Sequence, residues 1–371
     1  MTGGHQQQQQ HRAMGPLALL AALVVAAALP PAARAGHFHT DCLYFSHQQQ
    51  NEVMIYRPDA SVLPPSQPYG KIYPDPNPTG LAYYKDTIYV AAYGDLRNVK
   101  PSIRKYSVRT RLPQGYFADG PEIQACFPEG LAVYEPFLVV GCGAGPHGVL
   151  KYDIKTGTYL GPLAGPFPAV FGVTVKNDYV YFASHCTSDL VNGQAWCSKE
   201  EHDKVFRVPI LGSPEDVTPF AALPNEPTLG FTGLRFGPDG NLYVASRTQW
   251  DVYSFDPFGN PLQKLNLRRT ERASDVIFDS DGRVRARRER GADRGGASAW
   301  PLTRAAEEGG RACAWAQGYV GNPGHGEIDM FSIHDTKPVE DFCQPGPDIV
   351  DSKITYLLWA PCPHIDIHDE L

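Results

Sequence analysis

Two carboxylates are the side chains of this 371-residue chain with the clearest capacity for chemistry. Glu129 follows Phe127-Pro128 and precedes a glycine, and Asp275 opens a similar apolar run, Asp275-Val276-Ile277-Phe278. Two carboxylates that face each other could hold a divalent cation such as Ca²⁺, Zn²⁺ or Mn²⁺, or act as an acid/base pair. The alternative is structural, with each carboxylate capping its own loop by accepting backbone N–H bonds.

Histidines add a second potential site. His147 and His325 occur in matching contexts, Pro146-His147-Gly148 and Gly324-His325-Gly326, and could form a three-histidine zinc site with His185. Their spacing lacks the close pairs of zinc motifs, so repeat symmetry is the alternative. We expect these residues to converge on one binding face with Thr79, Phe171, Thr232, Arg247 and Gln317.

The elements that must position these residues form a repeated unit of three strands. Each repeat opens with a short apolar strand, continues with a second apolar strand and ends with an alternating one. The repeats begin at Gly80-Leu81, Gly130-Leu131, Gly172-Val173, Gly233-Leu234 and Asp275-Val276. Starts about 40 to 60 residues apart, with several strands in each repeat, indicate the blades of a β-propeller.

A sixth blade is predicted to be composite. Cys42–Ser46 and Val53–Asp59 have the character of second and third strands with no first strand, and Lys353–Trp359 can supply it. Joining both ends of the chain in one sheet closes the ring and removes exposed strand edges. We therefore predict an all-β fold, a six-bladed β-propeller over residues 36–367.

The fifth repeat is interrupted by a basic tract, Arg285–Ala314. Removing it brings Val284 next to Trp315 and restores the strand pattern, so we interpret residues 285–314 as a disordered insertion or a gene-model artefact, with a folded insertion as the alternative.

Both ends of the chain carry targeting signals. Residues 1–35 contain an apolar stretch, Leu17–Leu29, followed by Ala33-Arg34-Ala35, which predicts a cleavable signal peptide. Residues 368–371 form the sequence His-Asp-Glu-Leu (HDEL), which the HDEL receptor would read. We expect a resident of the endoplasmic reticulum lumen with no membrane span in the mature form. A net charge of −7 disfavours a nucleic-acid partner.

Eight cysteines fit an oxidising compartment. Cys186 and Cys197 bracket one connection and are predicted to pair. Cys126 and Cys142 flank two neighbouring strands and form the second predicted pair. Cys42 could pair with Cys343 or Cys362 across the seam where the ring closes.

One repeat, Phe231–Ser246, resembles a blade of the NHL type, and Asp275–Val284 is similar. The wider resemblance, over about Cys42–Trp359, is to the superfamily of NHL-repeat proteins, gluconolactonase/senescence-marker proteins, strictosidine synthases and streptogramin lyases. In the lactonases a Glu, an Asn and an Asp hold a divalent cation, which implies that role for Glu129 and Asp275. Thr232 or Phe171 stands where the Asn would be.

Two functions follow as expectations. The first is a non-catalytic module that binds a small-molecule ligand or a luminal protein. The alternative is a metal-dependent hydrolase of the lactonase or esterase type, with a lyase third. Peptidyl-hydroxyglycine lyases, another family of propellers, hold zinc with histidines. The chain has three candidate histidines, but the surrounding motifs of that family are not evident here.

Overall fold

A computed structural model describes residues 41–48, 50–56, 69–95, 98–146, 148–167, 169–185, 204–223, 230–247, 249, 251–266, 274–278, 317–322, 327–332, 338–343 and 354–363. All of them belong to one compact unit. The predicted signal peptide, the tract 285–314 and the HDEL sequence lie outside these residues.

The described residues form 24 strands and two short helical turns. The first strands in the chain are β1 (Asp41–His47), β2 (Glu52–Tyr56), β3 (Gly70–Ile72), β4 (Pro78–Tyr84), β5 (Thr87–Ala92), β6 (Ser102–Ser107) and β7 (Pro113–Ala118). Helix α1 (Pro121–Cys126) leads into β8 (Pro128–Tyr134), β9 (Phe137–Cys142), β10 (Val149–Asp153) and β11 (Tyr159–Ala164). Next come β12 (Val170–Lys176), β13 (Tyr179–Ser184), β14 (Lys204–Pro209), a 3-10 turn at Pro214–Asp216 and β15 (Thr218–Ala222). The last strands are β16 (Phe231–Phe236), β17 (Leu242–Ser246), β18 (Asp251–Phe255), β19 (Pro261–Asn266), β20 (Val276–Phe278), β21 (Gln317–Asn322), β22 (Glu327–Ser332), β23 (Pro338–Cys343) and β24 (Ile354–Pro361).

These strands form six four-stranded antiparallel sheets, the blades of a β-propeller. Blade 1 combines β24, β1, β2 and β3, and blades 2 to 6 take the following strands four at a time in chain order. The innermost strands contact one another in the order β4, β8, β12, β16, β20, β24 and back to β4, which closes the ring. The six-bladed propeller and its composite blade are thus confirmed.

Strand β20 pairs directly with β21, although a long tract separates them in the chain. Val276 lies opposite Val320 in this pairing, and Phe278 lies opposite Gly318. The second strand of blade 6 therefore begins after residues 285–314, where the repeat pattern placed it.

Apolar side chains fill the layers between neighbouring blades. Tyr89 and Ile103 of blade 2 pack in one cluster with Leu138 and Tyr152 of blade 3. Similar clusters lie between blades 1 and 2, 3 and 4, 4 and 5, and 5 and 6. The second strands are buried on both sides, which explains why they read as continuous apolar runs instead of alternating ones.

Polar links join the blades at the face where first strands turn into second strands. The Tyr134 hydroxyl donates to Asp178 of the next blade, and Lys176 Nζ donates to the Gly240 carbonyl at 2.8 Å. Lys85 and Glu135 approach to 3.6 Å on the exposed surface. We call this side the turn face and the opposite side, where inner strands begin, the mouth face.

Two disulfides cross-link the propeller. Cys42 on β1 bonds to Cys362, just after β24, so this seam disulfide ties together the two ends of the folded chain. Cys126 bonds to Cys142, and this mouth disulfide ties the end of α1 to the end of β9. Cys126 and Cys142 are one of the pairs expected from the sequence, and Cys362 is one of the two partners expected for Cys42. Cys186 and Cys197 lie outside the described residues.

Candidate functional site

A β-bulge recurs at the beginning of four inner strands. On β8, Pro128 lies opposite Cys142 and Leu131 lies opposite Val140, so two residues, Glu129 and Gly130, face the single residue Gly141. The same two-against-one pairing occurs at Thr79-Gly80, Phe171-Gly172 and Thr232-Gly233. Because a bulge redirects side chains and bends the strand, this ring of bulges shapes the mouth of the central channel.

The glycine of each bulge is required by the neighbouring blade. A Cβ atom on Gly80 would overlap the Glu129 carbonyl oxygen, and a Cβ on Gly130 would overlap that of Phe171. A Cβ on Gly172 would overlap the Thr232 carbonyl oxygen in the same way. The Gly-Leu repeats in the sequence therefore mark the points where adjacent inner strands approach most closely.

A second ring of positions follows the second strands. The backbone N–H groups of Tyr93, Gly143, His185 and Arg247 each donate to a carbonyl just ahead of the inner strand of their own blade, at 2.8 to 3.1 Å. These four positions are structurally equivalent and lie at the mouth face. Gln317 was expected among them, but it is the first residue of β21, at the turn face.

Glu129 forms the centre of a compact polar group. It is 4% exposed, and the Tyr93 hydroxyl donates a hydrogen bond to its Oε1. A side chain at position 143 would displace this pair, because a Cβ on Gly143 would lie 2.7 Å from the Glu129 Cγ. Burial and the negative charge of Glu129 hold the pKa of Tyr93 well above its usual value. Tyr93 therefore keeps its proton and acts as the donor.

The backbone next to this pair is fixed by the mouth disulfide. Phe127, at the end of α1, adopts a left-handed conformation with φ of 50°, and its carbonyl accepts from the Gly143 N–H at 2.9 Å. The Phe127 ring packs edge-on against Tyr93, with centroids 5.8 Å apart. The disulfide thus holds the two chain segments that enclose Glu129.

Arg247 lies across the channel from Tyr93. It occupies the equivalent position three blades further round the ring of six, and its positive charge lowers the Tyr93 pKa against the larger effects of burial and Glu129. The side chain is half-buried. Within the part of the chain that the structure describes, its guanidinium makes no hydrogen bond or ion pair.

Asp275 is on the blade opposite Glu129, as the repeat predicted, but in a different position within its strand. Val276 pairs with Val320 as Leu131 pairs with Val140, so Asp275 is equivalent to Gly130 and not to Glu129. Its Oδ1 accepts from the Val276 N–H at 2.9 Å and its Oδ2 from the Leu357 N–H at 3.1 Å.

Burial dominates the electrostatics of Asp275. The side chain is buried, which raises its pKa to about 6, while the charge of Arg235 and the two N–H donors act in the opposite direction. Asp275 therefore links β20 to β24 as a structural cap, which is the alternative that the sequence left open.

The remaining expected residues have varied positions. The Thr79 hydroxyl donates to the Pro128 carbonyl of the next blade at 2.7 Å, and the Thr232 hydroxyl donates to the Ala245 carbonyl at 3.3 Å. His185 is buried with its ring 5.2 Å from that of Phe171. His147 and His325 lie outside the described residues. Among the residues described, no three His, Cys, Asp or Glu side chains are grouped so as to hold a metal ion.

Sequence reasoning missed Tyr93 and Gly143. The available signal was their position, since each directly follows a second strand, as His185 and Arg247 do. Pairing the hydroxyl of Tyr93 with Glu129 requires contact between blades 2 and 3, and no local pattern in the sequence encodes that contact.

Neither protein-family models nor curated proteins give a match to this chain. Among solved structures, a chain of a nidogen/laminin complex superposes with a TM-score of 0.60 over 87% of this chain and 100% of that one, at 11% identity. The designed protein Ika8 gives 0.42 over 84% of this chain and 75% of its own, at 14% identity. A protein of unknown function from Bacteroides thetaiotaomicron gives 0.46 over 71% and 57%, at 16% identity.

The helices within the described ranges are too short to cross a membrane. At 11% identity, the likeness to the nidogen/laminin chain supports the fold alone. The chain is a six-bladed β-propeller whose mouth face carries a hydrogen-bonded Tyr93–Glu129 pair, with Tyr93 across the channel from Arg247.

Proposed function

We propose that this protein is a binding module of the endoplasmic reticulum lumen, of the NHL/gluconolactonase-like superfamily, that recognises a ligand or a partner protein at its mouth face. The observation that carries the proposal is the arrangement of the mouth, where Tyr93, hydrogen-bonded to the Glu129 carboxylate, lies across the channel from Arg247. Opposed charges at the end of a channel give orientation and selectivity to a bound molecule.

Binding is favoured over hydrolysis because the expected carboxylate pair is not assembled. Both oxygens of Asp275 accept backbone N–H groups, whereas Glu129 is enclosed by side chains of the mouth. A cation at Glu129 stays a prediction.

The luminal location is supported by the sequence signals at both ends and by the two disulfides. Both cross-links require an oxidising compartment to persist. The HDEL sequence would return the protein by way of its receptor, so the partners we expect are luminal.

A protein partner is the favoured ligand. One solved chain with a similar fold comes from a nidogen/laminin complex, in which proteins are bound to one another. Propellers host many unrelated functions, so this comparison supports the choice by analogy only.

The test uses residues 36–371 and a Tyr93→Phe/Glu129→Gln double variant. Luminal proteins cross-linked to the wild type should be lost from the double variant and retained by a turn-face variant, Lys85→Ala/Glu135→Ala. Equal recovery with both variants would refute recognition at the mouth. Circular dichroism and urea unfolding establish that each variant is folded.

Elemental analysis of the same samples addresses the hydrolase alternative. One equivalent of calcium, zinc or manganese that is present in the wild type and absent from the Glu129→Gln variant would favour a metal site. In that case lactones and esters become the substrates to assay.

A further inference from the structure

Arg247 has the position of an anchor for a ligand. It follows the second strand of blade 5, where its backbone is fixed by the hydrogen bond from its N–H to the Gly230 carbonyl at 3.0 Å. The neighbouring strand β17 is fully buried, so the residue is presented by a rigid element. The residue is half-buried.

Arg247 makes no ion pair with the residues that the structure describes. Two other cationic side chains among the described residues do form ion pairs: Arg104 pairs with Asp75 at 2.7 Å, and Lys264 pairs with Asp251 at 2.6 Å. Partial burial of a charge is costly without a partner, so the guanidinium favours an anion beside it. The planar guanidinium binds a carboxylate or a phosphate through two parallel hydrogen bonds.

The group across the channel selects between these two anions. Tyr93, which lies across the channel from Arg247, donates to the Glu129 carboxylate, so that carboxylate would repel a dianionic phosphate more strongly than a monoanionic carboxylate. Two half-buried aromatic rings lie at the same face: Phe127 packs against Tyr93, and Phe171 packs against His185. They can contact an apolar part of the same ligand.

We propose that Arg247 binds a carboxylate group of the molecule recognised at the mouth face. The inference rests on the proposed binding function and specifies its chemistry. The carboxylate can belong to a protein partner, as a free C-terminus or an acidic side chain, or to a small molecule. Both sources present the same group to the guanidinium.

The experiment uses N-acetylglycine and its amide, N-acetylglycinamide, as probes of the full chain. Saturation-transfer NMR should detect the acid at millimolar concentration, and the amide and inorganic phosphate at least tenfold more weakly. An Arg247→Gln variant should lose at least tenfold in affinity for the acid. Arg109→Gln is the matched control, because it removes the same charge from an exposed turn at the turn face.

Equal binding of acid and amide, or equal affinities of the Arg247→Gln and Arg109→Gln variants, would overturn the inference. A tripeptide with a free C-terminus that binds more tightly than N-acetylglycine identifies a protein source, and equal affinities identify a small molecule. If cross-linked partners depend on Tyr93 and Glu129 but not on Arg247, the binding function stands and the carboxylate inference fails. If they depend on none of the three, the binding function itself fails.

Discussion

Asp275 should make the stability of the propeller fall as the pH rises from 4 to 7. Its pKa is raised from an ordinary value of 3.8 to about 6 by burial, so between these values the folded chain binds a proton that the unfolded chain has released. A raised carboxyl pKa gives a stabilising contribution that is largest at low pH and is lost as the pH passes the folded value. One pKa unit corresponds to 1.36 kcal/mol, so the full effect is about 3 kcal/mol.

The perturbation is the Asp275→Asn substitution, which keeps the shape of the side chain and removes its titration. Urea unfolding with the disulfides intact gives the free energy of unfolding of each protein at pH 4, 5, 6 and 7. The stability of the wild type relative to the variant should fall by about 2.5 kcal/mol over this range, which is nearly the full effect. Other groups titrate in both proteins and cancel in the difference.

Asp86→Asn is the matched control, because it removes the same charge from an exposed turn. Its stability relative to the wild type should change little with pH. Stability curves for the wild type and the Asp275→Asn variant that run parallel from pH 4 to 7 would refute the conclusion that Asp275 is buried as a cap, and would restore it as a solvated carboxylate at the channel.

Three further results are expected. Replacing both cysteines of the seam disulfide with serine should lower the free energy of unfolding by about 6 kcal/mol, against about 3 kcal/mol for the mouth disulfide, because the closed loops span 320 and 16 residues. Equal losses in urea titrations would contradict this. Gly80→Ala should destabilise the fold by several kcal/mol, because the new Cβ would overlap the neighbouring backbone. Gly120→Ala should destabilise it only slightly, because the new Cβ would meet only the end of a flexible side chain. Thermal unfolding distinguishes the two variants. Tyr93→Phe should lower the free energy of unfolding by about 1 to 3 kcal/mol, because the buried Glu129 carboxylate loses a hydrogen-bond donor. The effect of Tyr93→Phe should be smaller in a protein that already carries Glu129→Gln. Additive losses in this double-mutant cycle would indicate that the pair does not interact.

The fold could be predicted because each blade repeats its pattern within a short stretch of sequence. The Gly-Leu starts mark the inner strands, and the continuous apolar runs mark the buried second strands. Even the composite blade was evident, since β1 and β2 lacked a first strand that β24 could supply. Which residue pairs with Cys42 stayed open, because two cysteines near the C-terminal end fit the same seam.

The site could be predicted only in part. Glu129 and Arg247 were placed at the correct face, whereas Asp275 was aligned one position away from its true equivalent. A bulge adds one residue to a strand, and a shift of one residue sends a side chain to the opposite face. The pattern of apolar residues is the same with and without the bulge, so only the pairing across strands reveals where Asp275 points.

The composite blade has a consequence for how the protein is made. Strand β1 is among the first to be synthesised, but its inner partner β24 is formed from residues near the end of the chain. During synthesis β1 therefore has an unpaired edge. Cys42 also stays without its native partner, Cys362, while other cysteines with which it could form a non-native disulfide have already been synthesised. Closure of the ring therefore comes late in folding, because β1 has no inner partner until β24 has been synthesised.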